Sequence, residues 1–448
     1  MLKDFRGVPV STASRDAVAL YETALAEFQH YSGDPIATIE RALAIDPDFV
    51  MGHLFKAFVL YTTSEQRYLP AVRDAVKRAA SLRKYATTRE QRLTLAAERL
   101  AAGDWLSACE VFDEVLIEHP CDALSIQIAH LMDFYRGDAV NLRNRVARAL
   151  RAWRSDMPGY SCVLGMQAFG LEECHEYAEA ERLARRALEI DPADGWSVHA
   201  VAHVMEMQGR IDEGVEWLRG READWAKPDN GFAPHNWWHL ALFHLDRGEH
   251  AAVLEIVDQR ILGPQADMLL VLVDATAMLW RLRLEGVDIG DRFERVADIW
   301  QGKLDVERGH YAFNDLHAML SFAACGRGHA IERLLAQMRE AAVGTTSLNA
   351  MMTSEVGLPL AEGMLAFARG QHAQAITRIA RVRDQAHRFG GSNAQRDLLS
   401  LTLIEAAIRS RDLSRAEHYL AERVRLKPTE WSWRLATRIA SARVQVAL

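Results

Sequence analysis

Apolar residues recur about every three to four positions along most of the chain, which is the period of an amphipathic α-helix. Several of these stretches close on a proline, and one closing phrase occurs twice, as ALAIDPDF (42–49) and ALEIDPAD (187–194). Proline ends a helix because it has no amide hydrogen and its ring collides with the preceding turn. No run of alternating β-branched residues is bounded by turn residues. The pattern therefore predicts helices separated by short turns, and no sheet.

The spacing of glycines predicts that the helices come in pairs. Gly137 follows Pro120 at the same interval at which Gly209 follows Pro192. This arrangement resembles the tetratricopeptide repeat (TPR), a pair of antiparallel helices of about 34 residues. Turns between paired helices are also predicted at Gly248, Gly326 and Gly370. We predict an all-α, TPR-like superhelix (solenoid) of about nine to twelve antiparallel helix pairs. We expect it to form a single domain over residues 1–448.

Composition narrows the class of protein. The 448 residues are 49% hydrophobic and 25% charged, which is typical of a globular protein, and the net charge of −8 disfavours a nucleic-acid partner. The five cysteines include no CxxC pair, so we expect reduced thiols and a cytoplasmic location. The N-terminal residues lack the apolar region of a signal peptide, and no window is apolar for the roughly 18 residues of a membrane span.

Polar residues occupy unexpected positions in the segment WSVHAVAHVMEMQGR (196–210). In TPR-like pairs the first helix lines the concave inner surface. Spacings of three and four place Trp196, His199, His203 and Glu206 on one face of that helix, and the repeat register turns this face inward. A repeat scaffold does not need such residues in order to fold. The segment therefore indicates a ligand site.

The next unit, PHNWWHLALFHLDRG (234–248), shows the same phase. It adds the candidates His235, Asn236, Trp238 and His239. Helical phase and burial arguments elsewhere add His53, His130, Asp274, Asn314 and His317. Asp274 lies in an apolar helix, where an unpaired carboxylate would be costly to bury, so we expect it to meet a histidine or an arginine.

The histidine-bearing segments resemble one family in particular. HAVAHVMEMQGR, HNWWHLALFHLDRGEH, FNDLHAML and GGSNAQRD are similar to segments of the tetratricopeptide repeat protein 38 family, and the resemblance extends from about Asp48 to Pro428. The resemblance implies a single TPR-like superhelix, but it does not imply a particular enzymatic reaction. The positions that match the family are His53, His130, His199, His203, Glu206, His235, Asn236, His239, Asp274, Asn314, His317, Arg396 and Asp397.

Three functions are compatible with these residues. The preferred hypothesis is an enclosed site that binds a small molecule and catalyses acid–base chemistry on it, since imidazole is a base near neutral pH. His199 or His203 would be the base, oriented by Glu206 or Asp274, and Arg396 would hold an anionic group. Whether the protein is an enzyme is left open. The ligand contacts are assigned to His53, His130, Trp196, His235, Asn236, Trp238, His239, Asn314, His317, Arg396 and Asp397.

The second hypothesis is a divalent metal site on adjacent helices. Histidines four residues apart on one helix can reach a single ion. The candidate ligands are His199, His203, Glu206, His235 and His239. Such a set suits zinc, iron, nickel or manganese.

The third hypothesis is an adaptor that binds a partner peptide in the groove, a common role for this fold. Peptide grooves of this class present lysine, arginine and asparagine, whereas the inward stripe here carries histidine, tryptophan and glutamate. A small-molecule ligand is therefore preferred to a peptide. No membrane partner is expected, and a homodimer is compatible with the sequence.

Overall fold

The computed structural model describes residues 2–263, 266–307, 309–343 and 347–447. The chain divides into two compact units. Unit 1 comprises Met1–Val201, Ala223–Ala233 and Thr346–Leu348, and unit 2 comprises Ala202–Glu222, Pro234–Thr345 and Asn349–Leu448. The single domain expected over residues 1–448 stays a prediction.

Unit 1 opens with two very short strands, β1 (Leu2–Lys3) and β2 (Pro9–Val10), which pair antiparallel with Leu2 opposite Val10. Two residues are too few to show an alternating pattern, which is why the sequence did not predict them. The helices that follow are α1 (Arg15–His30), α2 (Pro35–Ile45), α3 (Val50–Tyr61), α4 (Leu69–Ser81), α5 (Thr88–Ala101), α6 (Trp105–Glu118), α7 (Ala123–Tyr135), α8 (Ala139–Leu150), α9 (Tyr160–Glu173), α10 (Tyr177–Ile190) and the start of α11 (Gly195–Met207).

Unit 2 contains the end of α11 and most of the later helices. These are α12 (Ile211–Gly220), α13 (Glu222–Trp225, mostly in unit 1), α14 (Ala233–Asp246), α15 (His250–Ile256), α16 (Leu269–Leu284), α17 (Arg292–Glu307), α18 (Ala312–Cys325), α19 (Gly328–Ala341), α20 (Leu348–Met352), α21 (Leu358–Ala368), α22 (His372–Val382), α23 (Asn393–Arg409), α24 (Leu413–Leu426) and α25 (Glu430–Ala447). Short 3₁₀ segments occur at Gln66–Tyr68, Arg83–Tyr85 and Arg383–Phe389, and π-helical turns at Val257–Ile261 and Thr353–Gly357.

Consecutive helices pack as pairs in both units. In unit 1, α1 packs on α2, α3 on α4, α5 on α6, α7 on α8 and α9 on α10. In unit 2, α16 packs on α17, α18 on α19, α21 on α22 and α23 on α24. Short turns join the partners, so each pair is antiparallel. The predicted all-α, TPR-like fold of helix pairs is confirmed.

The turns between paired helices use the glycines that the sequence singled out. All five adopt a left-handed backbone conformation with φ between 66° and 74°: Gly137, Gly209, Gly248, Gly326 and Gly370. Residues with a Cβ rarely adopt this conformation. Within the described ranges, no helix combines the length and apolar character needed to cross a membrane.

Candidate functional site

The predicted site residues of unit 1 lie mainly in an aromatic cluster around Trp196. The indole of Trp196 is centred 5.0 Å from Phe169, 5.1 Å from His199 and 5.8 Å from His130. Burial lowers the pKa of His130 to about 3, so this imidazole is neutral near pH 7. His130 and His199 thus pack among aromatic rings in unit 1.

His53 is not part of that cluster. It lies near the start of α3, where its Nε2 donates to the carbonyl of Pro47 at 2.9 Å. Burial, which is only partial here, lowers the pKa of His53. This contact ties the imidazole to its own loop.

A buried thiol beside a histidine was missed by the sequence analysis. In unit 1, His30 Nε2 lies 2.6 Å from Asp191 Oδ2 and 3.9 Å from Cys162 Sγ. The same imidazole nitrogen faces both groups, and Nδ1 donates to the carbonyl of Ala26 at 2.8 Å. A cysteine–histidine–aspartate triad needs the two ring nitrogens to serve different partners. The arrangement is therefore an ion pair with a thiol beside it, and burial raises the pKa of Cys162.

This ion pair gives a pH-dependent contribution to stability. Asp191, and then Cys162, raise the pKa of His30 from 6.5 to about 11. Because the folded pKa is the higher one, the stabilisation is complete below pH 6.5 and is lost as pH rises towards 11. We expect Asp191→Asn to lower the free energy of unfolding by about 2 kcal/mol near pH 6 and by less near pH 10. Urea unfolding at both pH values measures the difference. Asp156→Asn, which removes an exposed pair with Arg154, should show no such trend.

Unit 2 brings three predicted histidines together in what we call the imidazole cluster, His203, His235 and His239. His203 comes from α11, and the other two come from successive turns of α14. The ring centroids of His203 and His239 are 4.4 Å apart, and those of His235 and His239 are 4.9 Å apart. One ring nitrogen from each residue lies within 4.8 Å of the others. The helical phase that grouped them in the sequence thus places them at one point.

Two carboxylates orient the imidazole cluster. His235 Nδ1 donates to Asp274 Oδ2 at 2.7 Å, and His239 Nδ1 donates to Glu206 Oε2 at 2.9 Å. A carboxylate on Nδ1 fixes the proton there and leaves Nε2 with its lone pair. Burial, reinforced by the neighbouring imidazoles and cations, holds the pKa of His239 well below its ordinary value. His239 is therefore neutral, and the expectation that Asp274 pairs with a histidine is confirmed.

A chain of buried ion pairs continues from Glu206. The Lys427 ammonium donates to Glu206 Oε1 and lies 3.5 Å from Asp397 Oδ2. The Arg423 guanidinium donates two hydrogen bonds of 2.8 Å to the carboxylate of Asp397. Burial opposes ionisation of Asp397, but Arg423 and Lys427 outweigh it and hold the pKa of that carboxyl far below its usual range. The network thus fixes four charged groups, those of Glu206, Lys427, Asp397 and Arg423, and Glu206 connects them to His239.

Lys427 and Arg423 were not predicted. Arg423 lies in the last turn of α24, and Lys427 lies between the end of that helix and Pro428. Arg281 of α16 was missed as well. Its guanidinium lies 5.3 Å from the ring centroid of Trp238 and donates to the carbonyl of Ala394 at 2.8 Å. Burial lowers the pKa of Arg281 to about 10.

The remaining candidates of unit 2 occupy several helices. Trp238 stacks on His235 with the ring planes 11° apart and the centroids 5.4 Å apart, and Asn236 is buried beside them on α14. His317 of α18 donates from Nδ1 to the Phe313 carbonyl at 2.8 Å, and burial lowers its pKa to about 4. Asn314 lies three residues earlier on that helix. Arg396 donates to the Gly391 carbonyl, so it holds the loop that begins α23.

Comparison with known proteins finds no protein-family model that matches this chain. Among solved structures, the human IFIT1 dimer with PPP-AAAA is similar over 97% of this chain and 96% of that chain, with 12% identity and a TM-score of 0.43. The APC/C hetero-tetramer Cut9–Hcn1 is similar over 97% and 91%, with 11% identity and a TM-score of 0.34. Yeast Tom70 is similar over 96% and 88%, with 11% identity and a TM-score of 0.30. The resemblance to the tetratricopeptide repeat protein 38 family stays a prediction.

Proposed function

We propose that unit 2 binds one divalent transition-metal ion through the imidazole cluster. The observation that carries this proposal is that three imidazoles converge while two of them rest their Nδ1–H on a carboxylate. Histidines that ligate metals almost always hold their other ring nitrogen in this way. Ligand nitrogens on a tetrahedral ion are about 3.4 Å apart, so shifts on the order of 1 Å would bring the three onto one ion.

The surrounding groups support an ion at this point. Glu206 was predicted as a metal ligand, but its two oxygens are engaged by His239 and Lys427. We therefore assign Glu206 and Asp274 to orienting the imidazoles and to balancing the charge of the ion. His203 and His239 are fully buried at 0% exposure, which suits an ion or a small ligand better than an extended peptide.

Three imidazoles leave one position of a tetrahedral ion, which is open to a fourth protein ligand, water or substrate. An ion held in this way lowers the pKa of its bound water to near 7 and polarises carbonyl or phosphoryl groups. We therefore place the enzyme hypothesis on this centre, as metal-assisted addition of water to a small electrophilic substrate. Trp238, stacked on His235, would form an apolar wall beside it. Cytoplasmic location and the preference for a small molecule over a peptide stay predictions.

Cobalt titration tests the proposal. We expect the full chain, stripped with a chelator and dialysed, to bind one equivalent of Co²⁺ with the visible absorption of a tetrahedral nitrogen site, and Zn²⁺ to displace it. His203→Ala and His239→Ala should each weaken binding by at least about 100-fold, because each removes a ligand. Asp274→Asn should weaken it by about 10- to 100-fold, the range for groups that orient ligands.

His244→Ala is the matched control. His244 also lies on α14 and also donates from Nδ1 to a carboxylate, Glu249, at 2.5 Å, but it is not in the imidazole cluster. Its loss should leave Co²⁺ affinity unchanged. The proposal is wrong if the wild-type chain binds no stoichiometric Co²⁺ or Zn²⁺, or if the His244 variant loses as much affinity as the His203 variant. Circular dichroism of each variant confirms that it is folded.

A further inference from the structure

A second cluster of acceptor oxygens lies in unit 2 among α17, α18 and α19. It surrounds a cavity of about 10 Å³, the space of one water molecule or one bare ion. Its polar lining includes Glu307 from the end of α17, Asn314 and Asp315 from α18, and Gln337 from α19. The indole of Trp300 forms part of the wall. None of these residues belongs to the imidazole cluster.

Asp315 is a buried carboxyl group that faces this cavity. Its exposed fraction is 5%, and its Oδ2 has no hydrogen-bond partner among the described residues. A buried acceptor without a donor is destabilising, and the carboxylate of Glu307, which lines the same cavity, adds to that cost. The cavity therefore contains a buried carboxyl oxygen that no donor of the described residues satisfies.

Gln337 adds a second acceptor of the same kind. Its Nε2 donates to the carbonyl of Leu304 at 3.1 Å, which fixes the orientation of the amide. The buried Oε1 of Gln337 then has no donor within the described part of the chain. Glu307 also contributes a buried carboxylate, at 8% exposure. Asp315 Oδ2 and Gln337 Oε1 thus face a space that fits one small cation, and neither oxygen has a donor among the described residues.

We propose that this cavity is a binding site for a hard, oxygen-seeking divalent cation of the Ca²⁺ class. The carboxylates of Glu307 and Asp315 supply charge, and the amide oxygens of Asn314 and Gln337 supply neutral ligands, a donor set typical of Ca²⁺. Mg²⁺ usually keeps several water molecules, for which the cavity has no room. One histidine, His310, also lines the cavity, but oxygens of Glu307, Asn314, Asp315 and Gln337 outnumber its nitrogen, and such an oxygen-rich set favours a hard cation over zinc.

Thermal unfolding with Ca²⁺ and terbium luminescence test this site in the full chain. We expect excess CaCl₂ to raise the Tm of chelator-treated protein by about 2 °C or more, since a ligand that binds only the folded state stabilises it. Tb³⁺ should show luminescence sensitised by excitation of tryptophan, because Trp300 lines the cavity. Ca²⁺ should quench that signal by competition. MgCl₂ at the same concentration should change neither quantity.

Asp315→Asn should abolish both responses. This variant replaces a buried carboxyl group that lacks a donor by a neutral amide of nearly the same size, so its Tm without Ca²⁺ should equal or exceed that of the wild type, which separates loss of binding from loss of fold. Gln337→Leu should weaken the responses. Asp298→Asn, which changes an exposed carboxylate of α17 paired with Arg327, is the matched control and should respond like the wild type.

Two results would overturn the proposal. One is a wild-type chain that shows no Ca²⁺-dependent shift, as expected if water or the Lys303 ammonium, which also lines the cavity, satisfies the oxygens. The other is an equal response in Asp315→Asn, as expected for adventitious surface binding. The His203→Ala variant should keep the full Ca²⁺ response. Failure of this proposal can therefore be distinguished from failure of the proposed metal site at the imidazole cluster.

Discussion

Gly209→Ala is expected to lower the free energy of unfolding by about 3 kcal/mol or more, through backbone strain and collision together. Gly209 has a φ of 69°, and a Cβ there would lie 2.2 Å from the carbonyl oxygen of Pro428. The clashing atom belongs to the backbone, so no side-chain rotation relieves it. Thermal and urea unfolding of the full chain measure the loss.

Gly248→Ala separates the two effects. Gly248 has a similar φ of 73°, but a Cβ there would meet no atom within 4 Å. This variant should lose only the cost of the left-handed conformation, about 1 kcal/mol. Equal losses in the two variants would show that the approach of Pro428 to Gly209 is not close in solution.

Gly209→Ala should also disturb the imidazole cluster. Pro428 directly follows Lys427, whose ammonium holds Glu206, and Glu206 in turn holds His239. Pushing the Pro428 carbonyl away from Gly209 therefore moves the end of α24, and with it the Lys427 ammonium that holds Glu206 and, through Glu206, His239. Gly209 thus has two roles, one in turning the chain and one in allowing α24 to approach α11.

The fold could be predicted because its signals are local. Helical periodicity, closing prolines and left-handed glycines each act within one helix pair, and Gly137 and Gly209 lie at the same interval after their prolines and adopt nearly the same φ. The two short strands were missed since pairing of two residues leaves no periodic trace. The division into two units was not expected, because each pair in a repeat fold contacts mainly its neighbours and boundaries have no local signature.

The candidate site could be predicted only as far as helical phase reaches. Phase relates His203 to Glu206, and His235 to His239, because each pair shares one helix. His199 lies on the same stripe as His203 and packs against Trp196 and Phe169 in unit 1, and its assignment to the site stays a prediction.

The sequence could not predict which residues far apart along the chain contact each other. Lys427 meets Glu206 across 221 residues, and Trp280 donates to Thr402 across 122. A side chain's helical face predicts which way it points, but not which distant residue it meets. A pairing such as His30 with Asp191, 161 residues apart, similarly needs the packed structure.

Asp397→Ala should be the most destabilising of the charge substitutions, with an expected loss of about 3 to 5 kcal/mol. Asp397 is the shared partner of Arg423 and Lys427, and the side chains of all three are less than 10% exposed. Removing one member of a buried ion pair leaves an uncompensated charge in a region that water reaches poorly. Asp212→Ala, which removes an exposed partner of Arg247, should change stability little.

A compensating change shows whether charge is the cause. Arg423→Met removes the cation that Asp397 holds by two hydrogen bonds, and in the Asp397→Leu background it should recover part of the lost stability. Recovery would be incomplete, because Lys427 would still be buried and would depend on Glu206 alone. If Arg423→Met instead adds its own full cost to that of Asp397→Leu, the two residues do not interact and the ion-pair chain behind His239 is not formed. If recovery occurs, the position of Glu206, and with it the orientation of His239, depends on charges that no single repeat supplies.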